Sequence, residues 1–281
     1  MNQLVPLPRV WVNATETNLV PAEDRGLAFG DGLFETMRLH GARVPLLERH
    51  LQRLQHGALR LRIALDIDEL RAEISRFLSS SGTDEGILKL IVTRGDGGRG
   101  YRVDAVNESR RILMQRPLAR HPAQWWSEGV SIRHCDTRLG SNPALAGMKH
   151  LNRLEQVLAR LEWDDAQIAE GLMCDQKGRI VEGVSTNLFL VSGGRLLTPV
   201  IDNCGVAGVM RGFILDVVAP ELALHTEQVH CERALLGAAQ EVFLCNAVIG
   251  VWPVRQLGTK RWPLGPVTRR VQAHVAQFLA S

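Results

Sequence analysis

The spacing of apolar residues predicts alternating strands and helices in the first third of the chain. Apolar residues recur at helical spacing from Leu51 to Leu61 and again from Leu70 to Leu78, which predicts two amphipathic helices. Short runs rich in β-branched and other apolar residues, each near a turn signal, predict four strands at 10–12, 33–39, 87–93 and 111–115. A glycine-rich loop at 95–100 separates the last two of these strands. The pattern therefore predicts an α+β arrangement.

The periodicity fades between Pro117 and Pro143, which predicts a boundary between two subdomains in this stretch. We expect an N-terminal α+β subdomain over residues 1–120 and a C-terminal α+β subdomain over residues 121–281. Within the second, the pattern predicts helices at 150–161, 208–218 and 267–279, and a buried strand at 241–245.

Composition places the chain among ordinary globular proteins. Of its 281 residues 45% are hydrophobic and 22% charged, and the formal net charge is only +3. Its arginines are dispersed and it has one tyrosine, so neither a nucleic-acid surface nor a stacking platform is predicted. No apolar run is long enough for a membrane span, so no membrane association and a cytoplasmic location are expected. The five cysteines lack metal-site spacing, which predicts reduced structural thiols and no metal.

Lysine is scarce, because only four of the 33 basic residues are lysines. Lys177 and Lys260 lie in turns, where a solvated side chain is expected, and Lys89 is expected to face solvent from a strand. Lys149 differs, because an apolar stretch precedes it and a helical pattern follows. Desolvation favours the neutral amine that attacks carbonyl groups, so Lys149 is a candidate nucleophile. An ordinary lysine near a helix start is the alternative.

Four segments in order resemble those of the class IV, fold type IV pyridoxal-phosphate enzymes. The sequence from Gly147 to Glu155, GMKHLNRLE, is similar to the family's Schiff-base lysine segment. Residues 24–36 resemble its N-terminal motif, 50–54 its phosphate-arginine helix and 181–189 its pyridine-nitrogen segment. The resemblance spans about residues 8–254 and implies the two-subdomain α/β (α+β) fold of the D-amino-acid aminotransferases, with pyridoxal 5'-phosphate as cofactor.

The resemblance implies a role for individual residues of the matched segments. Lys149 corresponds to the Schiff-base lysine, which also moves protons, and Glu182 to the carboxylate that keeps the pyridine nitrogen protonated. By spacing alone, a solvated hairpin acid is the favoured interpretation of Glu182. The phosphate ligands implied are the side chain of Arg53 and backbone amides at Val209, Met210 and Ala247. Arg53 could otherwise be a surface arginine of a helix.

Within the family, three segments are most similar to the aminodeoxychorismate lyases, which form 4-aminobenzoate and pyruvate. These segments are 97–101, 149–155 and 245–247. The resemblance implies that Thr36 helps to protonate the departing oxygen, although a β-branched strand residue is the alternative. It also implies that Arg99 and Tyr101, in the glycine-rich loop, bind a small dianionic substrate. Family members are usually homodimers, so a homodimer is expected.

Two other functions remain open at this point. The first is an aminotransferase of the same family that acts on D-amino or branched-chain acids. The second is a cofactor-binding protein without catalysis, which the joint presence of Lys149, Glu182 and Arg53 disfavours. The adjacent Trp125 and Trp126 are expected to cover either an interface between subunits or a seam between the subdomains.

Overall fold

The computed structural model describes residues 9–41, 43–80, 85–103 and 108–280, and the chain divides into two compact units. Unit 1 runs to Ala119 and also contains Lys149–Asn152, whereas unit 2 contains Arg120–Met148 and the chain from Arg153 onward. The sequence prediction placed residues 149–152 in the C-terminal subdomain. The structure differs there because this short segment forms backbone hydrogen bonds with a strand of unit 1.

Unit 1 is built on a five-stranded antiparallel sheet in the order β2-β1-β5-β4-β3. Its strands are β1 (Val10–Val12), β2 (Thr15–Glu16), β3 (Gly32–His40), β4 (Glu85–Thr93) and β5 (Arg110–Arg116). Its helices are α1 (Arg25–Phe29), α2 (Leu47–Leu61) and α3 (Ile67–Ser79). The two amphipathic helices and the four strands that the periodicity predicted in this part are therefore present.

The strand β3 separates two sets of side chains by simple alternation. Leu33, Glu35, Met37 and Leu39 are buried, whereas the residues between them are only partly buried. The buried apolar side chains of α2 and α3, together with those of β3 and β4, make up the core of this unit. Glu35 is thus an ionisable group on the core-facing side of a strand.

Unit 2 contains a nine-stranded mixed sheet in the order β11-β10-β9-β12-β13-β6-β7-β8, with β14 beside β13. Its strands are β6 (Val130–Leu139), β7 (Ile168–Asp175), β8 (Ile180–Gly183), β9 (Asn187–Ser192), β10 (Arg195–Pro199), β11 (His225–Val229), β12 (Glu241–Asn246), β13 (Gly250–Leu257) and β14 (Lys260–Arg261). The strand predicted at 241–245 is β12, the buried centre of this sheet.

The helices of unit 2 are mostly short. They are α4 (Gln124–Ser127), α5 (Leu154–Arg160), α6 (Val209–Phe213), α7 (Ala219–Glu221), α8 (Arg233–Ala238) and α9 (Pro266–Ala280), with a π-helical turn at Ile214–Val218 between α6 and α7. The helix predicted from residue 150 begins only at Leu154, since the residues before it pair with a strand instead. The indoles of Trp125 and Trp126 pack within this unit on Trp252, at centroid distances of 4.9 and 5.7 Å.

Among the residues described, no helix has the length and apolar character needed to cross a bilayer. The same residues contain no cluster of three or more His, Cys, Asp or Glu side chains placed to hold a metal ion. All five cysteines are buried free thiols, and burial raises the pKa of four of them to about 12 and that of Cys174 in the same direction.

Candidate active site

Lys149 is fixed to the edge of the sheet in unit 1 by backbone hydrogen bonds. The strand β3 is the last of that sheet, so its outer edge has backbone groups available for pairing. The amide of Phe34 donates to the carbonyl of Lys149 at 2.9 Å, and the amide of Leu151 donates to the carbonyl of Gly32 at 3.0 Å. The short segment is therefore an addition to the edge of β3 and not the start of a helix.

The lysine side chain lies against the aromatic ring of this strand. Its Nζ is 4.4 Å from the centroid of the Phe34 ring. Phe34 and Thr36 belong to the alternate set of β3 residues that does not enter the core. Thr36 therefore shares a strand face with the aromatic ring that Lys149 contacts.

A second lysine, Lys89, contacts the same aromatic ring. It is the cross-strand partner of Thr36, and its Nζ is 5.6 Å from the centroid of the Phe34 ring. Burial, together with the nearby Arg116, lowers the pKa of Lys89. The expectation of an ordinary solvent-facing lysine does not describe this half-buried side chain. Strand alternation identified the correct face, but it carries no information on what surrounds that face.

Arg53 belongs to a buried group of charged and polar side chains on the opposite side of β3. Its Nε donates to Oε1 of Glu35 at 2.8 Å, and its guanidinium also contacts Oε2 of the same carboxylate. Its side chain is 14% exposed, so the alternative of a solvated surface arginine does not hold. The phosphate role implied by the resemblance remains a prediction.

Glu35 and His50 complete this group, and sequence reasoning missed both. The Nδ1 atom of His50 lies 2.6 Å from Oε2 of Glu35, and both side chains are 1% exposed. Burial alone would raise the pKa of Glu35, but the neighbouring Arg53 and His50 lower it to about 2. Burial lowers the pKa of His50, with Arg53 and Lys149 acting in the same direction and Glu35 opposing them. The sequence did contain one signal for this group, because Glu35 occupies an inward-facing position of a predicted strand.

Glu182 occupies a buried position on β8 in unit 2. Its side chain is almost fully buried, and Oε2 accepts a hydrogen bond from the amide of Val206 at 2.8 Å. Arg153 is an electrostatic neighbour, since Glu182 opposes the lowering of the Arg153 pKa by burial. Gly205, whose φ is +85°, leaves room for the carboxylate, because a Cβ there would lie 3.3 Å from Oε2. The alternative of a solvated hairpin acid therefore does not hold.

A buried carboxylate supports the turn that follows Glu182. Glu170 accepts hydrogen bonds from the amide and the hydroxyl of Ser185, at 3.0 and 2.7 Å. Burial raises the pKa of Glu170, although these hydrogen bonds oppose the shift. The Ser185 carbonyl in turn accepts from the side chain of Asn246, the residue immediately before Ala247. The turn after β8 and the turn after β12 are thus linked through side chains.

The helix α6 begins at Val209 and Met210, the two residues predicted to offer backbone amides to a phosphate. Both are buried, and Gly208 is the N-cap residue before them. A Cβ at position 208 would collide with the side-chain oxygen of Asn187. That asparagine donates to the Val206 carbonyl at 3.0 Å, and this hydrogen bond holds the backbone that leads into α6. Ala247 lies partly exposed in the turn after β12.

Arg99 and Tyr101 lie in the glycine-rich loop between β4 and β5. The amide of Arg102 donates to the carbonyl of Arg99 at 3.2 Å, which closes a turn around Tyr101. The ring of Tyr101 is 87% exposed and lies 5.5 Å from the ring of Phe29. The predicted substrate-binding side chains are thus presented outward from a turn.

The predicted site residues are divided between the two units. Unit 1 contains the proposed proton-transfer groups, the phosphate arginine and the loop residues, which are Lys149, Thr36, Arg53, Arg99 and Tyr101. Unit 2 contains the pyridine carboxylate and the backbone phosphate ligands, which are Glu182, Val209, Met210 and Ala247. In unit 1 the structure brings Lys149 onto the strand that carries Thr36. In unit 2 it links the turns next to Glu182 and Ala247.

Comparison with known proteins agrees with this arrangement of elements. The family described as amino-transferase class IV matches residues 32–257, and the chain belongs to this family. It is 32% identical to the aminodeoxychorismate lyase of Vibrio harveyi over 270 residues, which cover 94% of this chain and 98% of that protein.

Two solved structures show the similarity of fold. The 4-amino-4-deoxychorismate lyase of Pseudomonas aeruginosa matches with a TM-score of 0.94 and 47% identity, over 97% of this chain and all of that one (100%). A branched-chain amino acid aminotransferase from T.th., solved with pyridoxamine 5'-phosphate, matches with a TM-score of 0.83 and 21% identity, over 96% and 93% of the two chains.

These matches confirm the predicted family and the predicted fold class, and with them the prediction of an enzyme. Family membership also indicates dependence on pyridoxal phosphate.

Proposed function

We propose that this chain is a pyridoxal-phosphate-dependent lyase that converts 4-amino-4-deoxychorismate to 4-aminobenzoate and pyruvate. The observation that carries the proposal is the similarity to the Pseudomonas aeruginosa lyase, at 47% identity over 97% of this chain. The segments that contain the glycine-rich loop, Lys149 and Ala247 are the ones in which this chain resembles the lyases most.

The side chains of the candidate site fit pyridoxal phosphate. Glu182 is a buried carboxylate held in place by a backbone donor, as needed to keep a pyridine nitrogen protonated. Gly208, just before α6, allows the backbone to pass close to Asn187, because a Cβ there would collide with the side-chain oxygen of that residue. The Nε2 atom of His50 is buried with no hydrogen-bond partner among the described residues. A ring nitrogen near Arg53 is therefore available to hydrogen-bond with a bound group.

Each of these residues has a role in holding the cofactor under this proposal. Lys149 would hold it through Nζ, and Glu182 would contact the ring nitrogen. Arg53 would hold the phosphate together with three backbone amides, those of Val209, Met210 and Ala247. When bound, the cofactor supplies a sink for the electron pair that remains after a proton leaves the substrate carbon.

Lys149 and Thr36 would carry out the proton transfers. As a free amine, Lys149 removes the proton from the substrate carbon that bears nitrogen. The carbon–oxygen bond to the enolpyruvyl group then breaks, and Thr36 relays a proton to the departing oxygen, while the proton that Lys149 has taken up restores the hydroxyl. The products are the aromatic amine and the enol of pyruvate, which tautomerises to pyruvate. The reaction is an elimination without net oxidation, so it needs no co-substrate.

The carboxylates of the substrate need cationic partners. We assign the positive charge to Arg99 of the glycine-rich loop and to Lys89 beside Thr36, with the hydroxyl of Tyr101 as a neutral hydrogen-bond donor. The half-buried position of Lys89 strengthens its interaction with an anion, because the effective dielectric constant falls with burial.

The direct test supplies 4-amino-4-deoxychorismate to the purified protein with pyridoxal phosphate and measures 4-aminobenzoate and pyruvate. Equal amounts of both products are expected, and Lys149→Ala should form neither. An absence of product from the wild-type protein, with the cofactor bound, would overturn the proposal.

An aminotransferase is the second candidate, because the family and one of the solved neighbours carry that activity by name. An aminotransferase needs a second, carbonyl-bearing substrate. Incubation with an amino acid and 2-oxoglutarate, followed by absorbance, separates the two functions, since only the aminotransferase would cycle through pyridoxamine phosphate.

We also propose that the chain acts as a homodimer. The segment of α5 and the residue after it expose four large aliphatic side chains, Leu154, Val157, Leu158 and Leu161. Exposed apolar side chains in such a group are typical of protein interfaces. Light scattering on the purified protein would give about twice the 31.1 kDa chain mass if the proposal is correct.

A further inference from the structure

The side chain of Arg25 lies inside the glycine-rich loop. It comes from α1, is 4% exposed, and its Nη1 atom points toward the loop carbonyls. Nη1 donates to the carbonyls of Gly97 at 3.3 Å, Gly100 at 3.0 Å and Arg102 at 3.4 Å. The backbone amide of Arg25 adds a hydrogen bond to the carbonyl of Gly95 at 2.9 Å. One residue therefore contacts the loop at four carbonyl groups.

The backbone of the loop is shaped to converge on this guanidinium. Four of its glycines have positive φ angles between 60° and 104°, namely Gly95, Gly97, Gly98 and Gly100. That region is strained for other residues, so glycine is required for this course of the chain. At position 98 a Cβ would also collide with the Arg102 carbonyl and lie 3.2 Å from Nη1 of Arg25.

The rest of the guanidinium is fixed by contacts outside the loop. Its Nε donates to Asp31 at 3.0 Å, and the same carboxylate binds Arg94 at 2.7 Å. The Cζ atom of Arg25 lies 4.9 Å from the ring centroid of Phe29. Phe29 is the residue whose ring contacts Tyr101. Arg25 therefore connects a buried ion pair to both the backbone and an aromatic side chain of the loop.

We propose that Arg25 is a positioning residue that folds the loop into the shape in which Arg99 and Tyr101 bind the carboxylates of the substrate. This inference rests on the proposed function for the identity of the substrate. Arg25 does not itself contact the substrate under this proposal, because its side chain is buried and its Nε and Nη1 donors go to Asp31 and to the loop carbonyls.

The chain offers a matched control for this role. Arg94 binds the same Asp31 carboxylate and is buried to a similar degree, but its other donors go to the carbonyls of Leu61 and Arg62. A variant at Arg94 therefore disturbs the ion pair without removing a contact to the loop. If Arg25 serves only to neutralise Asp31, the two arginines should be equivalent.

The experiment compares Arg25→Gln, Arg25→Lys and Arg94→Gln as holoenzymes. Hydrogen exchange of the amides in residues 95–102 is measured by mass spectrometry, and steady-state kinetics are measured with aminodeoxychorismate. Arg25→Gln should exchange in the loop about tenfold faster or more and raise KM about tenfold, with kcat and cofactor absorbance little changed. Arg25→Lys should be intermediate, because an ammonium has no planar fork to reach Asp31 and the carbonyls together.

Arg94→Gln should leave loop exchange and KM near the wild-type values, even if its melting temperature falls. If Arg25→Gln does not fold, Gly98→Ala replaces it, because this variant disturbs the same loop without changing a contact of Asp31. Gly98→Ala should raise both the exchange rate of the loop amides and KM. Unchanged loop exchange in the Arg25 and Gly98 variants, or an equal increase in Arg94→Gln, would overturn the proposal. If the exchange difference holds while the wild-type protein forms no 4-aminobenzoate, the proposed function fails and the loop-shaping role of Arg25 stands.

Discussion

The imidazole Nδ1 of His50 lies 2.6 Å from the carboxylate of Glu35 inside the core side of unit 1. Arg53 binds the same carboxylate, so the arginine proposed to contact the cofactor phosphate is held by an anion on the protein. A buried carboxylate fixes the direction of the guanidinium and limits the positive charge that it adds. Glu35 and His50 therefore hold the guanidinium of Arg53 in one direction, and its charge is not left unpaired inside the protein.

The pair of Glu35 and His50 predicts a loss of stability on acidification. The pKa of Glu35 falls from the ordinary 4.5 to about 2 on folding, so its stabilisation is present above pH 4.5 and is lost toward pH 2. That shift corresponds to about 3 kcal/mol of unfolding free energy. The pKa of His50 is also lowered, so the unfolded state takes up its proton first and stability falls below about pH 6.5.

Thermal melts at pH 7, 6 and 5 test the histidine part of this prediction. In His50→Gln the titratable imidazole is absent, while an amide donor to Glu35 remains. The gap in melting temperature between wild type and variant should therefore narrow as the pH falls. A constant gap over this range would contradict the prediction.

Variants of Thr36 test whether its hydroxyl transfers a proton or whether the residue only packs in its strand. Thr36→Val keeps the shape and the β-branching but removes the hydroxyl. If Thr36 protonates the departing oxygen, kcat should fall by about 100-fold or more, with little change in melting temperature. Thr36→Ser should retain most of the activity, because the hydroxyl remains. Wild-type rates in Thr36→Val would instead identify a residue selected for strand packing.

Glu182→Gln tests the carboxylate at the pyridine nitrogen. The glutamine oxygen can still accept from the amide of Val206, so the local fold should persist. The neutral side chain cannot hold a protonated ring nitrogen, and kcat should fall by about 100-fold or more. The absorbance spectrum of the bound cofactor should also change. A wild-type spectrum together with wild-type kcat would exclude this role for Glu182.

Two glycine variants test the approach to α6. Gly208→Ala places a methyl group against the side chain of Asn187, so weaker retention of pyridoxal phosphate and a lower melting temperature are expected. Gly237→Ala is the control, because that glycine lies in α8 with nothing within 4 Å of its added Cβ. The control should be neutral or more stable by up to about 1 kcal/mol. Equal cofactor retention on dialysis in both variants would show that position 208 tolerates a side chain.

Periodicity predicted the elements of unit 1 well, because its strands and helices alternate apolar and polar positions regularly. It failed at residues 150–153, where Leu151 has helical spacing to Leu154, the first residue of α5, although residues 149–151 pair with β3 instead. Local spacing cannot show which edge of a sheet is available for pairing. The motif resemblance supplied Lys149, Glu182 and Arg53, each of which the structure places in a buried or contact-rich position.

The contacts that support these residues were not predictable from spacing. The partners Glu35 and Arg53 are 18 positions apart, and Ser185 and Asn246 are 61 apart. Such pairings depend on the tertiary fold, which brings residues that are distant in sequence into contact, and a local sequence pattern does not predict it. The loop contact of Arg25 is of the same kind, since its guanidinium reaches carbonyls 72 to 77 residues away.

The short segment Lys149–Asn152 limits how the chain can be divided into two separately expressed fragments. Because the chain leaves unit 1 after Ala119, re-enters it at Lys149 and leaves again after Asn152, no single cut yields the two units as separate polypeptides. A fragment ending at Ala119 would lack the lysine and would expose the outer edge of β3 to other strands. Activity from two co-expressed halves would therefore require the C-terminal half to insert its own four residues along that edge.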